Sequence, residues 1–509
     1  MKLLPNQSSI LKLLLPCLAF SFVVCSRNSS SLVAGTNALE PGQQLTGWKP
    51  EPKSPKRVDT PYKPSEAEAE IIAQIKRFFE SNDDAARQEM ARQIAAHKAY
   101  DPSKVSDWLH SAVSHSPLKS GLQTITITLE DGEKRIVSVR IPKSYSPDKR
   151  WPLILAYHYT SGTGEDMIRI LAQSLGGHIE QYIVAASTNY LPLNVDSKRS
   201  WRPEQRLVLR ELKKLVHIDS DRVYVTGFSQ GCYASWSYAT FYGDELAGAA
   251  PVACTYDAAP EIPGLWELLL PNVANVPILH VWGSEDKLPV YGLDLTTVTG
   301  VASQLNQRVA ELTKKWKLNI LNYRVTDGGH AYEPPSNLLT KLLEKQRTQY
   351  PSQVRQRFRY LIQGRAYWLE ALSWDGDQWG LNPRPLSSQP GEKREQTLGR
   401  MISDLAGQLD GEVNGQEIKI EHRHVGSLMV WLGDGLIDWS KPIRVTANNK
   451  EVFQGEAKRD LYLCLTEAAR TYDFDRLRWA GLRLSKDGQA SWLKPQDKLP
   501  EVVFEKPKQ

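Results

Sequence analysis

The chain has 509 residues, with 63 Lys and Arg against 58 Asp and Glu, for a formal charge of +5. That balance leaves no basic face for nucleic acid and gives no ground for expecting an acidic polymer as partner. With 41% hydrophobic residues, 15 Trp and 20 Tyr, the chain can fill the cores of two or three domains.

Residues 1–35 read as an export signal. Lys2 and Lys12 precede the apolar run Leu13–Val24, and Ser, Gly and Ala follow it. The run is too short for a comfortable membrane span; an uncleaved anchor helix is the alternative. Cys25 ends the run where a bacterial lipoprotein carries its acceptor cysteine, although Val24 stands where such sites have a small residue. The expected location is therefore secreted, periplasmic or cell-surface, with membrane association only through this segment or a lipid on Cys25. Residues 36–64, rich in Pro, Lys, Gly and Thr, read as a tether.

A helical segment is expected over 65–118. Ser65 precedes Glu66, Glu68 and Glu70, which suit the positive end of a helix, and Ile71, Ile72, Ile75, Phe78 and Phe79 form a stripe at helical spacing. The stripe reads as a docking surface.

The next segment, 119–340, changes period. "LQTITITLEDGEKRIVSVRIP" alternates apolar with polar around Asp131-Gly132, the signature of a hairpin. Short apolar runs at 152–157, 182–187, 223–227, 248–253, 277–282 and 319–325 then alternate with helix-like stretches. Strands apolar on both faces and separated by helices form a parallel sheet covered on both sides. The fold class is α/β, a mostly parallel sheet with an antiparallel hairpin leading into it.

Within it, Gly227-Phe228-Ser229-Gln230-Gly231 lies between a strand and a helix. A serine hydroxyl is a weak nucleophile that needs a base, an orienting acid and an exposed position, and a glycine-bounded strand-to-helix turn supplies the exposure. The acid should follow a later strand. Asp286, in the loop after 277–282, is the choice, with Glu285 as its rival. The base should follow one more strand, where His330 comes after Asp327-Gly328-Gly329. His280 lies inside a strand and reads as a core histidine. Backbone N–H groups of Gln230 and Tyr159 are the candidates for an oxyanion hole, Tyr159 belonging to "HYTSGTG" after the strand 152–157. No lysine follows that loop, which argues against a phosphate cradle. Tyr190, Trp201, Tyr256 and Tyr332 are candidate walls of a substrate pocket. Cys232 and Cys254 are near enough in the predicted order to pair, but two buried free thiols are the expectation.

The pieces "IPKSYSPDKRWPLILAYH", "DSDRVYVTGFSQG", "AGAAPVA", "WGSEDKLPV" and "GGHAY" resemble the α/β-hydrolases, in particular secreted polyhydroxyalkanoate depolymerases and feruloyl or acetylxylan esterases. The resemblance covers residues 120–335, less than half of the chain. It implies Ser229 as nucleophile, Asp286 as acid and His330 as base. Those families carry His-Gly before the glycine-rich loop, where this chain has His158-Tyr159.

After residue 340 a basic, helix-like stretch ("LLTKLLEKQRTQYPSQVRQRFRYLI") leads to a helix in "TLGRMISDLAGQL" and then to short alternating strands with a turn at Asn448-Asn449-Lys450. Residues 341–509 thus read as a helical connector and a small β-rich accessory domain, with its tryptophans in the core. "WDGDQWG" and "LGDGLIDW" lack calcium-loop spacing and read as turns.

The expected function is exported serine-hydrolase activity on a small or polymeric carboxylic ester, without metal or cofactor. A secreted peptidase of the prolyl-oligopeptidase type shares the order of the three residues. A binding protein built on a hydrolase scaffold is the third reading.

Overall fold

The computed structural model describes residue 48 and residues 62–129, 132–188, 204–256, 261–291, 298–376, 388–494 and 497. The signal segment with Cys25, most of the tether, and Asp131 at the hairpin tip lie outside them.

Helix α1 (Glu66–Glu80) starts at a capping box, in which Ser65 Oγ accepts from Glu68 N–H and Glu68 Oε2 accepts from Ser65 N–H. With α2 (Asp84–Ala95) and α3 (Val105–Ala112) it buries Ile71, Ile75, Phe78, Ile94 and Trp108.

The hairpin β1 (Gly121–Thr128) and β2 (Lys134–Ile141) then enters a larger sheet. It continues through β3 (Trp151–Tyr157), α4 (Gly164–Leu175), β4 (Ile183–Ser187), α5 (Glu204–Leu215), β5 (Ile218–Phe228), α6 (Gln230–Tyr242) and β6 (Gly248–Val252). Next come α7 (Leu265–Leu269), β7 (Ile278–Gly283), a separate ribbon of β8 (Pro289–Tyr291) and β9 (Val298–Val301), α8 (Ala302–Trp316), β10 (Ile320–Val325) and α9 (Ser336–Leu343). The eight strands run in the order β1-β2-β4-β3-β5-β6-β7-β10. The pairs β1–β2 and β2–β4 are antiparallel; from β4 to β10 all are parallel. Burial follows position. β3, β4, β6 and β7 are buried at every residue, whereas the edge strand β1 alternates, as expected for one face in water.

The basic stretch after α9 is not helical as expected. Gln353–Phe358 is a strand, β11, that buries Val354, Gln356 and Phe358 and exposes Gln353 and Arg355. Its true period is two; the dense charge obscured an alternation set by a buried face. Then follow β12 (Arg365–Ala366), β13 (Leu369–Trp374), α10 (Arg394–Leu405), β14 (Gly407–Asn414), β15 (Glu417–Arg423) and β16 (Val425–Leu432). The chain closes with β17 (Ile443–Ala447), β18 (Lys450–Gly455), α11 (Leu461–Thr471), β19 (Ala480–Leu484) and β20 (Ala490–Trp492). Two five-stranded sheets, β11-β14-β15-β17-β18 and β12-β13-β16-β19-β20, share one core that includes Trp368, Leu409, Ile420, Val430, Val445 and Leu482. Asn448 and Asn449, at φ 47° and 63°, form the expected β17–β18 turn. Trp368, Trp431 and Trp479 are fully buried, which fits the core reading of the tryptophans.

The stripe on α1 finds its partner in this last part of the chain. Phe78, Ile71, Trp108, Leu465, Phe474 and Trp479 belong to one apolar cluster, so the first helices and α11 share a core. The start of β5 is held from the same side. The Arg347 guanidinium, with no exposed surface, donates to Asp221 at 2.9 Å and to Asp473 at 2.7 Å, and Ser220 N–H donates to Asp475 at 2.9 Å. Burial opposes the charge on Asp473, but Arg347, Lys213 and Arg476 outweigh it and hold its carboxyl well below the ordinary range. Among the described residues no helix is long and apolar enough to cross a membrane.

Candidate active site

β5 ends in the glycine-bounded turn and α6 begins at once. Ser229 between them has φ 54° and ψ −112°, a strained combination for a residue with a side chain. Its N–H donates to Val252 O at 3.1 Å and its C=O accepts from Cys232 N–H at 3.0 Å, so both neighbouring elements fix it. The two glycines are required. A Cβ on Gly227 would meet the Gly231 carbonyl, and a Cβ on Gly231 would meet the carbonyls of Tyr157 and His158, all inside contact distance. The loop after β3 therefore presses on the first turn of α6.

His330 lies beyond β10. Its Nδ1 donates to Asp286 Oδ2 at 2.9 Å, because a carboxylate only accepts. Nε2 is thereby left as acceptor, and the Ser229 hydroxyl donates to it at 2.9 Å. The structure thus joins three residues, far apart in sequence, in one hydrogen-bonded row. Asp286 is 1% exposed and its Oδ1 also accepts from Leu288 N–H at 3.1 Å. Glu285, the rival, is a solvated acid, 53% exposed and 3.5 Å from Lys287 Nζ. The loops that carry Asp286 and His330 are laced together. Glu285 N–H donates to Gly328 O at 2.8 Å, Ser284 N–H to Val325 O at 2.9 Å, and Asp327 N–H to Ser284 Oγ at 2.9 Å. His280 is buried, bonded to Asn322 and to Cys254 O, and belongs to the core as expected.

This is an α/β-hydrolase fold. The sheet order, the strained serine after the central strand and the two loops beyond β7 and β10 make it so. Residues 193–314 match the phospholipase/carboxylesterase family. No curated protein matches the chain. Among solved structures it is similar to a thermostable esterase, at 17% identity and a TM-score of 0.34 over 44% of this chain and 63% of that one. It is similar also to dipeptidyl peptidase 4 of Porphyromonas gingivalis, at 14% identity and TM-score 0.32 over 45% of this chain and 35% of that one. A third is a ferulic acid esterase of the anaerobic fungus Anaeromyces mucronatus, at 13% identity and TM-score 0.33 over 48% and 96%. The chain spans less than two thirds of the length of the first two.

Other candidate residues of this hydrolase fold divide. Gln230 is the first residue of α6, and Tyr159 follows His158 in the loop against Gly231. His158 fixes that loop: its Nδ1 lies 2.7 Å from Tyr159 O and its Nε2 2.9 Å from Thr188 O. The Tyr159 ring packs on Phe228, centroids 5.6 Å apart. Tyr332 is half-buried beside the row, but its hydroxyl is bonded to Thr226. Tyr190 and Trp201 lie outside the described residues.

Two expectations are corrected. Tyr256 is a core residue, 1% exposed: its ring packs edge-on against Trp236 and Trp266, and its hydroxyl meets Thr240 Oγ1 at 3.1 Å. Cys232 and Cys254 are not free thiols but a disulfide, with Cα atoms 5.9 Å apart. That bond ties the segment after β6 to the first turn of α6, two residues before Tyr256. Sequence reading missed Thr226 and Phe228, whose residue types are ordinary for a strand.

Proposed function

We propose that this chain is an exported serine hydrolase that cleaves carboxylic esters with Ser229 as nucleophile, His330 as base and Asp286 as orienting acid. The observation that carries the reading is the row Ser229–His330–Asp286, with both bonds at 2.9 Å and the serine in a strained turn. Ser229 Oγ attacks the acyl carbon while His330 Nε2 takes the hydroxyl proton. The backbone N–H groups of Gln230 and Tyr159 stabilise the charge that develops on the carbonyl oxygen. As the C–O bond breaks, Nε2 passes the proton to the departing alkoxide. Water then attacks the acyl-enzyme, giving one proton to Nε2, and Ser229 regains it as the carboxylic acid leaves. Asp286 holds the tautomer throughout and stabilises the imidazolium. The aromatic surface of Tyr159 and Phe228 beside the serine favours an apolar or aromatic acyl group, and the proposed substrates are small or polymeric esters.

The test is turnover of p-nitrophenyl acetate and butyrate, feruloyl esters and chromogenic peptides by the wild type and Ser229→Ala. Ester turnover should fall by about six orders of magnitude in the variant, since members of such a row act as a unit. Cleavage of the peptides alone would replace the esterase reading with a peptidase one. Ester turnover that survives the substitution would refute the site.

A further inference from the structure

His330 sits on an exposed loop, and the ties described above hold that loop to the acid strand, not to the strand that carries Ser229. A separate bond does the latter. Tyr332 Oη lies 2.8 Å from Thr226 Oγ1, across 106 positions of sequence. Thr226 Oγ1 already directs its own proton to Ala250 O at 2.8 Å, so it accepts and the tyrosine donates. Thr226 is 2% exposed, lies in β5, and Ala250 is its neighbour in β6. The relay Tyr332–Thr226–Ala250 therefore pins the chain next to His330 onto the rigid centre of the sheet, just before the elbow. Phe228 fills the space between: its ring centroid is 5.4 Å from that of His330 and 6.2 Å from that of Tyr332. Burial pushes the Tyr332 phenol above its ordinary range, although the bond to Thr226 pulls the other way, so the hydroxyl keeps the proton it donates.

We infer that Tyr332 is a positioning residue that sets the reach of His330 Nε2 toward the Ser229 oxygen, and that it is not a wall of the substrate pocket. The inference rests on the reading of Ser229, His330 and Asp286 as the reacting row. Both hydroxyl protons of the relay are already used within it, that of Tyr332 on Thr226 and that of Thr226 on Ala250 O. Without it, His330 spends less time at bonding distance from Ser229, so the chemical step slows while ester binding does not change. Proton transfer needs heavy atoms within hydrogen-bond reach, and small misplacements are costly there.

The experiment uses p-nitrophenyl acetate turnover and the rate of Ser229 labelling by a fluorophosphonate. Tyr332→Phe keeps the ring against Phe228 and leaves Thr226 bonded to Ala250. Its kcat and its labelling rate should fall together, by about fivefold to tenfold for one lost hydrogen bond, with KM within about twofold. Thr226→Val should give the same loss, Thr226→Ser should restore the rate, and the double variant Tyr332→Phe/Thr226→Val should be no slower than either single one. A purely packing role would lower thermal stability without that coupling in kcat. Wild-type kcat in Tyr332→Phe, or losses that multiply in the double variant, would overturn the inference. Ser229→Ala is run alongside. If turnover survives it, the reading of the site fails; if turnover is abolished but Tyr332→Phe is unaffected, only the positioning role fails.

Discussion

Cys232 and Cys254 are bonded to each other across the elbow, one in the first turn of the helix after Ser229, the other just past the end of β6. The bond spans a sequence separation of 22 and encloses most of α6 and all of β6. It reinforces the part of the sheet that holds the serine in its strained conformation, and it suits a chain proposed to be exported.

Removing that bond should cost stability. For a loop of this length the chain-entropy model gives about 3 kcal/mol. Cys232→Ala/Cys254→Ala should lower the urea midpoint accordingly, and non-reducing peptide maps of the wild type should show the two cysteines linked. Equal midpoints in variant and wild type would mean the disulfide contributes nothing to folding.

The two neighbouring acids should behave differently. Asp286→Asn should lower ester turnover by about four orders of magnitude, because an amide can present its own N–H to His330 Nδ1 and stabilise the wrong tautomer. Glu285→Ala should stay within about twofold, since that carboxylate is solvated and its ion pair among the described residues is with the exposed Lys287. An equal loss in both variants would remove Asp286 from its role.

Acid should weaken the fold before the carboxylates titrate. Burial, with the neighbouring His110 and His115, pushes His217 down to about 3, and burial with His110 pushes His115 down to about 4, from an ordinary 6.5. Between pH 6.5 and those values the unfolded chain binds protons that the folded chain refuses, so stability decreases as pH falls. Urea midpoints measured from pH 7.5 to pH 4.5 should drop steadily, and His115→Ala should flatten the slope. A midpoint constant over that range would show that neither histidine resists protonation in the fold.

The legible part of this protein was its periodicity and its punctuation. Apolar runs bounded by glycine and charge placed the six parallel strands of the main sheet, and an apolar–polar alternation around Asp131-Gly132 placed its hairpin. The spacing of Ser229, Asp286 and His330 against those strands indicated a shared edge, because a parallel sheet delivers every strand end of one polarity to the same side. Gly227 and Gly231 were readable for the same reason: only a residue without Cβ survives where two backbones touch.

Tertiary contact decided what local pattern leaves open. Gln353–Phe358 carries two arginines, and only the face it buries against the sandwich core shows it to be a strand. The free or bonded state of Cys232 and Cys254 depends on where two distant Cβ atoms fall, which no spacing encodes. Tyr256 and Tyr332 are equal in sequence as aromatic candidates, yet one fills the core beneath α6 and the other bonds Thr226 beside the row. Each outcome depends on which atoms the fold brings within a few ångströms. Composition and period determine that a side chain is buried or turned outward; the packed chain alone determines what it meets.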